Sequence, residues 1–547
     1  MRDDPLENMT LGDALARRAE SHQDKTFLEF QDATFTFGEV DEKSNQVAQG
    51  LLAAGVTAGG HVAVMLPNGP EIVWVTFALA RIGAVAVPVN TAFHGAALRN
   101  VLAGSDCTAL IVDSRYRDRL PPVTADLPGM RLTIVCAPDG RPAAGGGTEP
   151  EPPGGETVEW PDLMTHGAAP PEHRAHPADL LAIMYTSGST GPAKGALVPH
   201  ALALACAQDV LKFVNVHGEK VYCPLPLFHA AGMWDGVLSA LLCGGTVAVA
   251  ERFSASKFWD DVRRFDARIA ISVFSILPIL LKQPPSARDK EHSLKLFYTG
   301  KSLWDGQLRE RFGVRSVESY TSTEAGVPLA GAFGNWRPGS CGQVNAERFE
   351  AAVVDDRDRP LPAGRTGELV LRPRQPHIIT GGYYGNFEAT AHAFRNLWFH
   401  TGDRMRQDKD GYFYFVDRMA DAIRRRGENV SAFDIELAVN QHAAVRESAA
   451  IGVPSELGED DVKLAVVLVP DATVDHDELT TYCREALPAF MVPRYLEFVD
   501  ALPRTATDKI AKHRLRALGD RGLTATTWDR ERGDFVTGRP ATRGGPA

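Results

Sequence analysis

"HVAVMLPNGPEIVWVTFALARIGAVAVPVN", residues 61–90, decides the architecture. "HVAVMLP" is an apolar run of strand character, "PEIVWVTFALARIG" has a helical pattern, and "AVAVPVN" returns to strand. Apolar strands separated by a helix predict neighbours in a parallel sheet covered on both faces. The pattern continues with "AALRNVLAGS" as helix and "ALIVD" as strand, and the alternation persists from about residue 60 to 330. The expected class is α/β.

Composition narrows the function. The 547 residues are enough for two or more domains with proper cores. A hydrophobic share of 44% and a charged share of 23% are those of an ordinary globular protein. The net charge of −11 is mild and no basic stripe interrupts it, so nucleic acid is not an expected partner. Seven scattered cysteines, odd in number and never spaced as CxxC, argue against a disulfide framework or a zinc site and for a reducing cytoplasm. The N-terminus "MRDDPLENMT" lacks an apolar signal core, and the run "IVWVTFALA" meets Arg81 too early to span a bilayer, so no membrane is expected.

Near Asp417 the character changes. A basic turn, the strand "KLAVVLVP" and the helix "HDELTTYCREALP" predict a small α+β domain. The expected division is 1–417, 418–520 and a polar, disordered tail at 521–547. The junction "FVDRMADAIRRRGENV" is charged and short, which suits a hinge better than a tether. Residues 137–156, rich in Gly and Pro, read as a surface loop.

Residues 185–195, "YTSGSTGPAKG", end the apolar run "LLAIMY" and precede "PHALALACAQDVLKFV", a helical pattern expected to start at Pro199. Strand, glycine loop and helix would let backbone N–H groups, hydroxyls and Lys194 converge on phosphate. The alternative is a Ser/Gly linker, but linkers seldom sit so tightly between a buried strand and an amphipathic helix. A P-loop needs a lysine preceded by glycine and followed by Ser or Thr; here Ala193 precedes Lys194 and Gly195 follows it.

The stretch closely resembles the signature loop of the adenylate-forming (ANL) superfamily, which includes acyl- and aryl-CoA synthetases, and the likeness runs from about residue 10 to 515. The resemblance implies a large N-terminal domain of parallel sheets covered by helices plus a β subdomain, with a small mobile C-terminal domain. By it, Thr186, Ser187, Gly188, Ser189, Thr190 and Lys194 would grip the phosphates of ATP. "SYTSTEAG" is similar to the motif in which Tyr320 would lie on adenine, Thr323 would contact the α-phosphate and Glu324 would hold Mg²⁺. "WFHTGD" would give Asp403 to the ribose hydroxyls, and Arg418 would contact the nucleotide. Arg426 and Gly427 fall where CoA ligases line the thiol tunnel, whereas Arg424 and Arg425 read equally as a solvated face. "LPRTATDKIAKHRL" would place Lys509 as the catalytic lysine.

Three departures stand out. Ala420 occupies the hinge position, Asp508 replaces the glycine before Lys509, and "TGKSL" puts Gly300 at the nucleotide and Lys301 at the adenine and substrate wall. With Thr321, His229 and Trp234, these suggest a compact, partly polar acid pocket. The expected activity is ATP- and Mg²⁺-dependent adenylation of a small or aromatic carboxylic acid, then transfer to coenzyme A. Other outcomes stay open: a carrier protein in trans, an amine acceptor, or activation of nitrite for diazotisation of an aryl amine. Oligomeric state is also open, a dimer included.

Overall fold

The computed structural model describes residues 9–124, 127, 129–137, 155–173, 175–186, 193–214, 218–273, 276–299, 303–331, 337–419, 423–425, 428–430, 432–455, 460–489, 491–505 and 509–536. The opening stretch folds as read. Strands His61–Met65 and Val85–Pro88 pair in parallel, with His61 opposite Val85, and helix Pro70–Ile82 connects them. Pro70 needs no N–H at the first helical turn, and Gly83 closes the helix in the left-handed region at φ 69°. A Cβ there would fall 2.3 Å from His173 Nε2, so both conformation and space require glycine. The helix is apolar nearly all round because it is buried on most sides.

Two large sheets build the first domain. A seven-stranded sheet carries the opening strands, parallel except where Leu180–Thr186 meets Lys194–Pro199. A nine-stranded sheet has a parallel centre and antiparallel edges. Their facing surfaces share one apolar core, to which an antiparallel four-stranded β subdomain (Phe349–Val354, Thr366–Pro373, Phe399–Gln407, Phe413–Arg418) also contributes. From Ile423 onward the buried residues belong to separate clusters around a five-stranded sheet. No helix among the described residues is long and apolar enough to cross a membrane.

Two readings need correction. The signature loop does not lead directly into a helix. Strand Lys194–Pro199 intervenes, forming a hairpin with Leu180–Thr186 in which Thr186 faces Lys194. Helix His200–Val214 therefore starts at the far end of a six-residue strand, about 20 Å from the loop, and its dipole does not reach an anion held there.

The tail was expected to be disordered from residue 521, but it continues the second domain's sheet as far as strands Trp528–Asp529 and Asp534–Phe535. Arg494 explains why: its Nε and Nη2 donate to the two oxygens of Asp529 at 3.2 and 3.0 Å. Trp528 meanwhile stacks on His476 with ring centroids 5.3 Å apart. Polar composition concealed a strand pair anchored by one fork-shaped ion pair and one aromatic side chain. Trp528→Ala should cost about 3 kcal/mol of unfolding free energy, read by denaturant titration. An unchanged midpoint would mean the tail contributes nothing to this domain.

Candidate active site

The site gathers at the carboxyl ends of parallel strands, where side chains from several elements can meet over the sheet edge. Strand Leu180–Thr186 delivers Thr186, and strand Arg315–Ser322 delivers Tyr320 and Thr321. The tight turn into Gly326–Ala330 holds Thr323 and Glu324, and the β subdomain contributes Asp403 and Arg418.

Glu324 accepts from the Thr186 hydroxyl at 3.3 Å and from the Tyr383 hydroxyl at 3.4 Å, both through Oε1. Both bonds are long, so they leave acceptor capacity on the carboxylate. Burial raises its pKa, while its own backbone N–H and Arg418 pull the other way. A half-buried, loosely bonded hard-oxygen donor beside Thr186 is chemically fitted to magnesium. Lys194 lies 5.2 Å over the Tyr383 ring.

Asp403 is a tighter node. The Tyr320 hydroxyl donates to Oδ2 at 2.6 Å, and Arg418 Nε lies 3.1 Å from Oδ1. Burial raises the pKa of Asp403, opposed by Arg418 and Tyr320. The turn before it is braced by Glu368, which accepts from Gly402 N at 3.0 Å and contacts His400 Nδ1 at 2.8 Å. Asp358, Glu368 and His400 bring possible metal ligands within 4.8 Å of one another. Arg395 already bridges the two carboxylates, at 3.1 and 2.9 Å, and supplies the positive charge a metal would bring.

Lys509 comes from the second domain into this cleft. Burial lowers its pKa first and Arg418 lowers it further, while Asp403 and Glu324 raise it. The Lys509 side chain is nonetheless exposed to water. His229 feels the same ammonium: burial, then Lys509, pushes its pKa down to about 4. Thr186, Lys194, Tyr320, Thr323, Glu324, Asp403, Arg418, His229 and Lys509 thus surround one cleft, with Thr321 exposed at its edge.

Trp234, expected in the acid pocket, is buried at 3% exposure. It lines a small apolar cavity with Leu11, Ile72, Leu181 and Met184. Its apolar ring was drawn into the shared core, which gains more from that surface than a solvated pocket would. Arg425 is no solvated face either. It is buried, paired with Asp461 at 3.0 Å, and donates to the Val492 carbonyl. Ser187, Gly188, Ser189, Thr190, Gly300, Lys301, Ala420, Arg426, Gly427 and Asp508 lie outside the described residues.

Sequence reasoning missed Tyr383 and Thr380. Thr380 N donates to the Glu324 carbonyl at 2.7 Å and its hydroxyl to Leu197 O. The signal was "TGGYYG" at 380–385, whose Gly382 has φ 115° and leaves no room for a Cβ against Thr390.

Two histidines make a test. His200 Nδ1 accepts the Leu11 N–H at 3.2 Å, and burial lowers its pKa to about 4 as well. Below about pH 6.5 the unfolded chain protonates at both positions, whereas the folded chain waits until about pH 4. Unfolding free energy should therefore fall as pH drops through that window. His200→Asn, whose Oδ1 can take the Leu11 N–H, should flatten the slope in denaturation series run from pH 7 to 4.

A family profile described as "AMP-binding enzyme" matches residues 15–384, and one described as "AMP-binding enzyme C-terminal domain" matches 434–509. The crotonobetaine/carnitine–CoA ligase of Salmonella paratyphi B is 30% identical over 518 residues, covering 90% of this chain and 96% of the relative. The fold is similar to that of the anthranilate CoA ligase AuaEII in complex with anthranoyl-AMP, with TM-score 0.83 and 26% identity over 94% of this chain and 98% of that one. ATP-bound MatB from Rhodopseudomonas palustris matches with TM-score 0.80 and 25% identity, covering 93% and 99% of the two chains.

Proposed function

The chain belongs to the AMP-binding enzyme family, and from that premise we propose that it couples a small or aromatic carboxylic acid to coenzyme A at the expense of ATP. Its class is that of the AMP-forming acyl-CoA synthetases. In the first step a carboxylate oxygen attacks the α-phosphorus, the bond to the bridging oxygen breaks, and pyrophosphate leaves. In the second the CoA thiolate attacks the acyl carbonyl and AMP departs.

The observation that carries this reading is the entry of Lys509 into the cleft lined by Glu324, Asp403 and His229. Two anions must be brought together in line, and the charge that spreads over the phosphoryl oxygens must be stabilised. Lys509 would do the second. Asp403 would accept from the ribose hydroxyls, and Tyr320, bonded to it at 2.6 Å, would present its ring to adenine. Thr186 and Lys194 face each other at the hairpin end and would grip the phosphates, Thr323 would reach the α-phosphate, and Arg418 would contact the nucleotide. Glu324 would hold magnesium, whose charge would offset that of the departing pyrophosphate. His229 stays neutral at pH 7 and adds no charge beside the incoming carboxylate. Arg426 and Gly427 are the proposed thiol-tunnel residues.

An ammonium about 4 Å from a unit negative charge contributes about 4 kcal/mol at an effective dielectric near 20. Lys509→Ala should therefore lower adenylation by about 10²–10³-fold, measured as acid-dependent ATP–pyrophosphate exchange. Thioester formation from preformed adenylate should suffer less. Equal loss of both steps would remove Lys509 from its role, and exchange that needs no acid would remove the ligase reading itself.

A further inference from the structure

Residues 380–384, "TGGYY", tie two parts of the cleft to each other. On one side they pair with strand Lys194–Pro199. Gly381 N donates to the Leu197 carbonyl at 3.0 Å, Leu197 N to the Gly382 carbonyl at 2.9 Å, and Tyr384 N to the Gly195 carbonyl at 2.8 Å. On the other side, Thr380 N donates to the Glu324 carbonyl at 2.7 Å. Tyr383 sits opposite Ala196 in an antiparallel bridge, and its N–H donates to the Thr390 hydroxyl at 2.9 Å. Its backbone is therefore fixed both to the strand that carries Lys194 and to helix Phe387–Ala393.

That anchoring sets one side chain against two opposite charges. The Lys194 ammonium lies 5.2 Å over the centre of the Tyr383 ring, and the Tyr383 hydroxyl donates to Glu324 Oε1 at 3.4 Å. The negative face of an aromatic ring attracts a cation, while a phenolic O–H donates to a carboxylate. Thr186 links the same two charges: it faces Lys194 across the hairpin, and its hydroxyl donates to the same Oε1 at 3.3 Å. Lys194 and Glu324 are thus near neighbours, yet among the described residues no carboxylate stands within ion-pair distance of Lys194. A lysine stem is flexible, and without the ring the ammonium would be free to swing onto Glu324. An ion pair there would occupy at once the cation proposed for the phosphates and the oxygens proposed for magnesium.

We infer that Tyr383 is a positioning residue that keeps Lys194 and Glu324 from pairing with each other before ATP binds, its ring seating the ammonium and its hydroxyl seating the carboxylate. The inference rests on the AMP-forming ligase reading, in which those two charges serve the triphosphate and its magnesium. Weak holding is what the role requires. A cation over a ring is held less strongly than a cation bonded to phosphate, so Lys194 passes readily to the nucleotide. A bond of 3.4 Å is long, so Glu324 keeps acceptor capacity for a metal. Phenylalanine at this position would retain the first seat and lose the second, whereas leucine would lose both.

Binding of ATP to the full-length protein, followed by titration calorimetry in magnesium and in EDTA, tests this without turnover. Tyr383→Leu should weaken ATP binding in magnesium about tenfold, and Tyr383→Phe by less than about threefold, since the ring remains. In protein already carrying Glu324→Gln, Lys194 has no carboxylate to turn to. Adding Tyr383→Leu there should cost less than about threefold in either medium. Tyr383→Met carries the same comparisons if the leucine variant does not fold. Equal losses from Tyr383→Leu in both backgrounds would mark a merely structural residue and overturn the inference. Unchanged binding, or a phenylalanine variant as weak as the leucine one, would overturn it too. Each of these leaves the ligase reading standing, whereas wild-type protein that binds no ATP would overturn both.

Discussion

The bond between the Tyr320 hydroxyl and Asp403 is the constraint on which the site depends. Tyr320 belongs to the nine-stranded sheet of the shared core and Asp403 to the β subdomain, so one buried O–H···O contact joins two sheets at the site. A carboxylate placed there must be satisfied, since burying it unpaired would cost several kcal/mol. The Tyr320 hydroxyl on one oxygen and the Arg418 guanidinium beside the other meet that demand. In the proposed reaction the same groups would define where a ribose sits, so that stability and recognition become one requirement.

The parts legible in the sequence were those governed by local pattern. Residues 61–90 fold as read because hydrophobic periodicity and end signals act within a few residues of one another. The order of motifs likewise singled out Tyr320, Glu324, Asp403 and Lys509, which the structure brings within electrostatic reach of one another. What stayed hidden depends on partners remote in sequence. Arg425 reads as one of three exposed arginines until Asp461 and the Val492 carbonyl are brought to it. The strands after residue 520 are invisible without Arg494, and Trp234 shows no preference between pocket and core until the two large sheets close over it. The hairpin strand after the signature loop was missed because "KGALVP" is short and runs straight into a strong helical pattern.

Buried charges in this protein fall into two populations. Those of the scaffold are paired: Arg348 with Asp209, Arg425 with Asp461, Lys463 with Glu497, Arg494 with Asp529. Removing either partner would leave an uncompensated charge, so these pairs hold helices and strands in register. Two other carboxyl groups are bound more loosely than these and than Asp403. Glu324 has only long bonds from hydroxyls, and Asp235 has one thiol. Both have raised pKa values because burial is incompletely offset. Such groups make a site ready to gain free energy from a ligand that brings the missing charge.

The second domain closes over that under-satisfied region through contacts of modest strength. Lys282 donates to the Val445 carbonyl at 2.8 Å, and Phe415 meets Phe433 edge-on with centroids 6.1 Å apart. Lys509 itself experiences the cleft as both attractive and costly: Asp403 and Glu324 favour its charge, whereas burial and Arg418 oppose it. In the proposed reaction, conversion of ATP to an adenylate with loss of pyrophosphate would remove negative charge from the cleft and weaken the attraction on Lys509. Departure of the first product would then favour a rearrangement of the second domain for the second half-reaction, without any contact dedicated to switching.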